Sequence, residues 1–242
     1  FRDRGLIRRT AAPAQIEDLD ELPVPDFAPY MVQHAQSAWQ DTAPEIFFET
    51  SRGCWWGEKH LCTFCGLNAD ALTFRRKTPA RALSEIRGLY DDYPQADRLV
   101  AADNILPLDY IKTVMPGLQD LASRKDRPLD LFFEVKSNLT REQIQVLSRG
   151  GVRTVQPGIE SFSDDVLALM DKGATGLGQV QCIKWMYEAD ISMVYNILLQ
   201  NPGEQIDSYR QMLDMIPYLR HLPPPTGLAP ICLERYSPYF MN

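Results

Sequence analysis

The chain has 242 residues, of which 45% are apolar and 24% are charged, and its formal net charge is −7. This composition predicts one large folded domain and excludes a chain that is disordered throughout. The acidic balance argues against a general nucleic-acid binder, which needs Lys and Arg against phosphates. No apolar run approaches the roughly 20 residues of a membrane span, and no signal peptide is visible, so we expect a cytoplasmic protein.

The first 44 residues are predicted to form an extended arm or linker, because residues 17–26 are acidic and interrupted by prolines, without a sustained period. A folded domain is predicted over residues 45–242. It begins with the apolar run at 45–50, which is typical of a buried strand. Further strands are predicted at 98–102, 129–135, 152–156, 191–199 and 229–234.

Helices are predicted between these strands from their capping residues. Thr78 followed by Pro79 is typical of an N-cap and a first helical position, and it opens a helix to about residue 92. The segment 140–143, Thr-Arg-Glu-Gln, resembles a capping box and opens a helix that ends at Gly150 and Gly151. Additional helices are predicted at 163–170, 178–188 and 205–219.

The alternation of strands and helices predicts an α/β fold, with a parallel sheet and helices on its outer face. The sheet is either an open doubly wound sheet or a barrel. In both architectures functional groups lie at the carboxyl ends of the strands, so the segments that follow each strand are the candidates for a site.

Three of the five cysteines lie in one loop, directly after the first predicted strand. Cys54, Cys62 and Cys65 are separated by seven and then by two residues. Clustered thiolates are the usual ligands of iron–sulfur clusters, and three ligands leave one iron of a 4Fe–4S cluster open. The odd number of cysteines and the lack of a signal peptide argue against a disulfide framework.

His60 lies in the same loop, so a structural zinc site made by His60 and the three cysteines is an equal alternative on spacing alone. The position of the loop favours the iron–sulfur interpretation, because catalytic groups collect at the carboxyl end of a strand. Cys182 and Cys232 are predicted to be buried as small apolar residues rather than to bind metal.

Together with the segments that follow it in the chain, the cysteine loop resembles the radical S-adenosylmethionine (SAM) superfamily. The resemblance covers about residues 45–236. Residues 102–104 occupy the position of the family's Gly-Gly-Glu motif, 156–161 are similar to its fourth-strand signature, and 196–204 are similar to its fifth-strand motif. The resemblance implies a partial (β/α)6 barrel, a 4Fe–4S cluster held by the three cysteines, and SAM bound at the open iron. A reduced cluster would then cleave SAM to a 5′-deoxyadenosyl radical.

The resemblance also implies which residues contact SAM. Phe64 stands where the family has an aromatic residue near the adenine, and Asp103 and Asn104 stand at the motif that meets the SAM amino group. Lys136 ends the third strand and is a candidate for the SAM carboxylate, with a solvated lysine as the alternative. The remaining ribose or amino-acid contacts are assigned to Gln156, Glu160 and Asn196.

Several of these positions have structural alternatives. Glu160 could cap the following helix, and Asn196 could satisfy a neighbouring backbone group. Trp55 and Trp56 either shield the cluster from solvent or simply pack. The run Arg75-Arg76-Lys77 is interpreted as a solvated charged surface in preference to a site for an acidic leader peptide.

The seven-residue gap, with residues 22–26 before it and 234–240 after it, resembles the enzymes that mature ribosomally made peptides. That group is related to cobalamin-dependent members, which implies C-methylation of a peptide and a cobalamin-binding domain upstream that this chain does not include. The alternatives are cobalamin-independent cross-linking or epimerisation, and a non-catalytic zinc-stabilised α/β module. An electron donor such as flavodoxin or ferredoxin is also expected, whereas nucleic acid and membrane are not expected as partners.

Overall fold

Five parallel strands form the main sheet, in the order β3-β6-β7-β8-β9. The computed structural model describes residues 2–3, 5–7, 15–67 and 72–242. Strands β3, β6, β7 and β8 are neighbours in chain order without a reversal, which is the arrangement of a barrel and not of a doubly wound sheet. The strands are β1 (Arg2–Asp3), β2 (Leu6–Ile7), β3 (Glu45–Phe48), β4 (Ser51–Arg52), β5 (Arg75–Arg76), β6 (Arg98–Ala101), β7 (Leu131–Val135), β8 (Val152–Pro157), β9 (Ser192–Met193), β10 (Asn196–Leu199) and β11 (Gly227–Pro230).

Two further parallel strands extend this sheet. β10 pairs with β11, and a single bridge between Glu160 and Ile197 links β10 to the segment after β8. The strand predicted over 191–199 is therefore divided into β9 and β10, and the last strand lies slightly before the predicted 229–234. With β3, β6, β7, β8, β10 and β11 as its parallel strands, the α/β fold is a partial (β/α)6 barrel, as predicted.

Helices cover one face of the sheet. Side chains of β3 alternate between the two faces, so that Ile46 and Phe48 are buried whereas Phe47 is exposed. The buried side chains of α2, α5 and α7 join those of the sheet in one hydrophobic core. No helix in the described part of the chain has the length and apolar character needed to cross a bilayer. The helices are α1 (Ala28–Ala35), α2 (Pro79–Asp92), α3 (Tyr110–Thr113), α4 (Gln119–Ala122), α5 (Arg141–Arg149), α6 (Asp164–Leu169), α7 (Gly176–Glu188), α8 (Ile206–Leu219) and α9 (Pro238–Met241).

The predicted capping residues begin their helices. At α2, the Thr78 hydroxyl accepts a hydrogen bond from the Arg81 N–H, and proline is the first helical residue. At α5 the capping box is complete: Gln143 N–H donates to the Thr140 hydroxyl at 3.3 Å, and Thr140 N–H donates to Gln143 Oε1 at 2.8 Å. These caps satisfy backbone donors that have no partner within the helix, and so they fix where each helix begins.

The arm is not extended throughout, in contrast to the prediction. It contains α1 and a short 3-10 helix at Leu19–Glu21. The Asp20 carboxylate accepts from the Thr78 N–H and hydroxyl at 2.7 and 2.6 Å, while Phe27 N–H donates to the Tyr93 hydroxyl at 2.8 Å. The arm therefore contacts both ends of α2. The parts of the predicted arm at 1, 4 and 8–14 lie outside the described residues.

Lys77, the last residue of the basic run at 75–77, is not solvated, which corrects that part of the sequence interpretation. Lys77 is only 2% exposed, and its Nζ lies 2.6 Å from Oε2 of the equally buried Glu85. Arg76 pairs with Asp109 at 2.9 Å on the partly exposed side. The sequence of the run does not indicate that Lys77 is buried, because its partner Glu85 lies eight positions later, beyond the cap that begins α2.

We expect Lys77→Met to lower the free energy of unfolding by about 3 kcal/mol, because it leaves the buried Glu85 carboxylate with only a 3.7 Å contact to Arg81. Arg76→Met removes a partly exposed pair one position away and serves as the matched control, with an expected loss below about 1 kcal/mol. Urea unfolding followed by circular dichroism measures both losses. Equal stability of the two variants would contradict the prediction.

Candidate cofactor site

A cavity of about 400 Å³ opens at the carboxyl ends of β7, β8 and β10. Its walls come from the cysteine loop, from the ends of these strands and from the segment after β11. This is the edge of the sheet where the architecture predicts functional groups. All of the residues predicted to bind cofactors except Asp103 line it: Cys54, Cys62, Phe64, Cys65, Asn104, Lys136, Gln156, Glu160 and Asn196.

The cysteine loop places its three thiols on one wall of this cavity. β4 pairs antiparallel with β5, so the two ends of the loop are held together. Gly53 has a φ of 81° and lies so close to the main chain of Thr73 that only glycine fits there. Beyond this crossing, Cys54, Cys62 and Cys65 are all partly exposed.

Asp103 holds the beginning of the loop in place. Its carboxylate accepts hydrogen bonds from the backbone N–H groups of Thr50 at 2.7 Å and Ser51 at 3.0 Å, and a further one from the Thr50 hydroxyl. Burial raises the pKa of Asp103 to about 6. The SAM contact predicted for this side chain has no support in the geometry, whereas its neighbour Asn104 does line the cavity.

Two segments that are distant in sequence support the far side of the loop. Thr63 N–H donates to the Met170 carbonyl at 3.1 Å, and the Thr63 carbonyl accepts from Tyr239 N–H at 3.0 Å. Gly66 N–H donates to Glu234 Oε2 at 3.1 Å. The C-terminal segment therefore forms part of the wall around the cysteines.

His60 does not share a site with the three cysteines. Its ring stacks on Trp56 with the centroids 4.8 Å apart, and its Nδ1 lies 3.8 Å from Asp171 Oδ2. Within the described residues, no group of three or more His, Cys, Asp or Glu side chains is arranged to hold a single metal ion. This geometry disfavours the Cys3His zinc site that spacing alone left open.

The three thiols fit a cluster better than a single ion. In a 4Fe–4S cluster each thiolate binds a different iron, so the sulfur atoms need not converge on one point. Burial raises the pKa of the Cys62 thiol, and it raises that of Cys65 to about 11. The positive charge of bound iron is what would keep such thiols deprotonated.

Lys136 is buried at the end of β7, so the solvated alternative is wrong. Only 6% of its surface is exposed, and its Nζ lies 3.7 Å from the centre of the Trp56 ring while donating to the Lys172 carbonyl at 2.6 Å. Burial, and then the charge of Lys172, lower the pKa of Lys136 to about 8. An anionic ligand beside Lys136 would favour its charged form.

A second buried lysine pairs with Glu160. Nζ of Lys172 lies 2.9 Å from Oε1 of Glu160. Burial opposes the ammonium charge of Lys172, but Glu160 together with Cys62 and Cys65 outweighs it, so the pKa of Lys172 lies above its ordinary value. Glu160 does not cap the following helix, because Ser163 is the cap of α6.

Glu134 is a cavity residue that the sequence analysis missed. It pairs in register with Gln156, and both line the cavity. Among the described residues its carboxylate has no hydrogen bond or ion pair. Burial, and then the charges of Glu160 and Asp103, raise the pKa of Glu134 above its ordinary value. Its position two residues before Lys136, and so on the same face of a strand, was the signal that could have identified it.

The two remaining cysteines behave differently from each other. Cys182 is buried in α7, as predicted, and burial raises its pKa to about 12. Cys232 is exposed and lies at the edge of the cavity, so its predicted burial is wrong. The reason is that β11 already ends at Pro230, which leaves Cys232 in the segment after the strand.

Two residues at this edge have left-handed backbone. Glu160, after β8, has a φ of 61°, and Gln200, directly after β10, has a φ of 66°. This conformation costs roughly 1–2 kcal/mol for a residue with a Cβ atom. It places backbone strain at the turns around the cavity.

Comparison with known proteins identifies the family of this chain. A sequence model described as the radical SAM superfamily matches residues 48–216, which is more than half of the chain. The chain belongs to this superfamily. A 4Fe–4S cluster and SAM are therefore its cofactors. A curated relative, described as an uncharacterized methyltransferase of Pyrococcus horikoshii, is 23% identical over 209 residues, which cover 84% of this chain and 43% of the relative.

Solved structures share the fold. OxsB, a cobalamin-dependent SAM radical enzyme with aqua-cobalamin and SAM bound, superposes with a TM-score of 0.70 at 16% identity, over 100% of this chain and 34% of that chain. TsrM from Kitasatospora setae is a radical SAM methyltransferase, and its structure has tryptophan and a SAM analogue bound. It superposes with a TM-score of 0.63 at 17% identity, over 96% of this chain and 41% of that chain. The chain thus spans less than half of each of these relatives.

We expect Gly173→Ala to lower the iron content of the reconstituted protein and to destabilise it by more than about 1 kcal/mol. Gly173 has a φ of 59°, and an added methyl group would overlap the Trp56 ring beside the cysteine loop. Gly88→Ala, in the middle of α2 with open space around it, is the control and should be stabilising by about 0.5–1 kcal/mol. Iron and sulfide analysis with thermal unfolding measures both effects; full iron content in Gly173→Ala would refute the expectation.

Proposed function

We propose that this chain is the radical SAM core of a cobalamin-dependent enzyme that methylates a carbon atom of a ribosomally made peptide. The observation that carries the radical chemistry is the single cavity that combines Cys54, Cys62 and Cys65 with two buried lysines. Methyl transfer is supported by the curated relative described as a methyltransferase and by the likeness to TsrM. The peptide substrate is supported by the seven-residue gap of the cysteine loop.

In this proposal each wall of the cavity binds one part of the cofactors. Cys54, Cys62 and Cys65 hold the cluster and leave one iron for SAM. When bound, the cluster and SAM supply a radical that abstracts hydrogen from an unactivated C–H bond. The Lys136 ammonium is the partner for the SAM carboxylate, since it is a buried cation at the end of β7.

The other predicted contacts follow from their positions around the same cavity. Gln156, Glu160 and Asn196 carry the polar groups for the ribose and amino-acid parts of SAM, and Phe64 supplies an apolar face for the adenine. Asn104 takes the place of the family's Gly-Gly-Glu glutamate, because Asp103 is engaged by the first strand. The rings of Trp55 and Trp56 meet edge to face beside the cysteines and exclude water from them.

The volume of the cavity supports a reaction at its mouth. About 400 Å³ is the size of one small-molecule ligand, so bound SAM leaves little room for a second one. The lining is partly apolar, with Leu198 and Ile231 on the side of β10 and β11. A peptide could present one side chain there while the rest of it stays outside. Cobalamin, from a domain outside this chain, would supply the methyl group, and flavodoxin or ferredoxin would supply electrons.

Removal of any cluster ligand tests the core of the proposal. We expect Cys54→Ala, Cys62→Ala and Cys65→Ala each to lose the cluster absorbance and the reductive cleavage of SAM to 5′-deoxyadenosine, because the cluster needs all three thiolates. Cys232→Ala is the matched control, since it removes a thiol from the same cavity edge, and its iron content should not change. Anaerobic reconstitution with iron analysis and product chromatography measures this. If Cys232→Ala lost iron and the other three variants kept it, Cys232 would be a cluster ligand and the assignment of Cys54, Cys62 and Cys65 would be wrong.

The full-length protein, incubated with methylcobalamin, reductant and SAM carrying a deuterated methyl group, tests methylation. We expect candidate peptides to gain the labelled methyl group on carbon, as measured by tandem mass spectrometry. Loss of two hydrogen atoms would instead indicate cross-linking. Uptake of one deuterium in a parallel incubation in D2O, without other change, would indicate epimerisation. Labelling of free tryptophan or another small molecule, with no peptide modified, would refute the peptide substrate and keep the radical chemistry.

A further inference from the structure

Lys172 is a buried cation beside the cysteine loop, and the function proposed above assigns no cofactor group to it. It is 8% exposed, and its ammonium pairs with Glu160 at 2.9 Å. A Cβ atom at Gly158 would lie 2.5 Å from this Nζ, so glycine at that position leaves room for the ammonium. The sequence and the fold thus make space for a charge in a place where charges are costly.

A ring contact and a backbone hydrogen bond fix the position of Lys172 relative to the cysteine loop. Its Nζ lies 5.7 Å from the centre of the Phe64 ring, which stands between Cys62 and Cys65 in the loop. Two residues before Lys172, the Met170 carbonyl accepts from the Thr63 N–H at 3.1 Å. The turn that carries the lysine and the loop that carries the cysteines are therefore hydrogen-bonded to each other.

The charges that face Lys172 come from several elements. Glu160 follows β8, Cys62 and Cys65 belong to the loop, and Lys136 on β7 donates to the Lys172 carbonyl. Reduction of a cluster adds one negative charge to a site with a low dielectric constant, where an adjacent cation stabilises that charge strongly. Net charge and solvent exposure are among the factors that set the potential of an iron–sulfur cluster.

We propose that Lys172 is a positioning residue that raises the reduction potential of the 4Fe–4S cluster, with Glu160 as the counter-charge that holds its ammonium in place. The lysine does not enter the reaction. It makes the one-electron reduction of the cluster easier by placing a fixed positive charge beside the thiolates of the loop. This inference concerns the cluster alone and does not depend on the substrate or on cobalamin.

Redox titration of the reconstituted protein, followed by the electron paramagnetic resonance signal of the reduced cluster, tests the proposal without SAM, peptide or cobalamin. We expect Lys172→Met to make reduction at least about tenfold less favourable, which is about 59 mV for a one-electron couple. Lys172→Arg keeps the charge and should restore most of the potential. Lys184→Met removes an exposed lysine of α7 that pairs with Glu188, and it should leave the potential unchanged.

Glu160→Gln gives the opposite and independent test. It removes a negative charge that also favours the Lys172 ammonium, so the titration is run below neutral pH to keep Lys172 protonated, and we expect the potential to rise. If Lys172→Met does not hold iron, this second variant decides: an unchanged or lowered potential in Glu160→Gln overturns the proposal. A Lys172→Met protein with full iron content and an unchanged potential also overturns it. Either result leaves the methylation proposal intact, because that proposal is judged by the peptide product.

Discussion

The buried carboxylate of Asp103 is the interaction on which the site depends. It ties the end of β6 to the backbone N–H groups of Thr50 and Ser51, where the first barrel strand gives way to the cysteine loop. A loop of more than twenty residues would otherwise leave the sheet without a fixed direction. Two backbone hydrogen bonds to one buried acceptor set that direction. Gly53 comes two residues after Ser51, where the loop passes close to the main chain of Thr73. The cysteines face the carboxyl edge of the sheet as a result.

Local chemistry made the regular elements predictable, and contacts between distant residues made parts of the site unpredictable. The capping box at Thr140 and the first-turn proline at Pro79 specify their helices from within a few residues, so both were located correctly. The cysteine spacing indicated a metal-binding loop in the same way, although spacing alone did not separate a cluster from zinc. By contrast, the role of Asp103 depends on an amide more than fifty positions earlier, and no local pattern marks it as a structural carboxylate.

The burial of three lysines could not be predicted from the sequence either, because it depends on charged or aromatic partners that only the fold brings near. Lys77, Lys136 and Lys172 are each buried, and each has a defined partner: Glu85, the Trp56 ring and Glu160 respectively. A lysine in a sequence is by default an exposed residue, because an unpaired buried ammonium is too costly. Only the folded structure supplies the partner, so a basic run or a single lysine after a strand could not be recognised as internal. In an acidic chain, Lys136 and Lys172 concentrate positive charge at one cavity.

The contact between Gly66 and Glu234 has a consequence for the biosynthesis of the protein. These residues are 168 positions apart, and the Tyr239 hydrogen bond to Thr63 spans a similar distance. The cysteines therefore leave the ribosome long before the segment that completes the wall around them has been translated. During that interval the three thiols are more open to solvent than in the finished fold. We therefore expect iron and sulfide to reach the thiols more readily before the C-terminal segment docks onto the loop than after it.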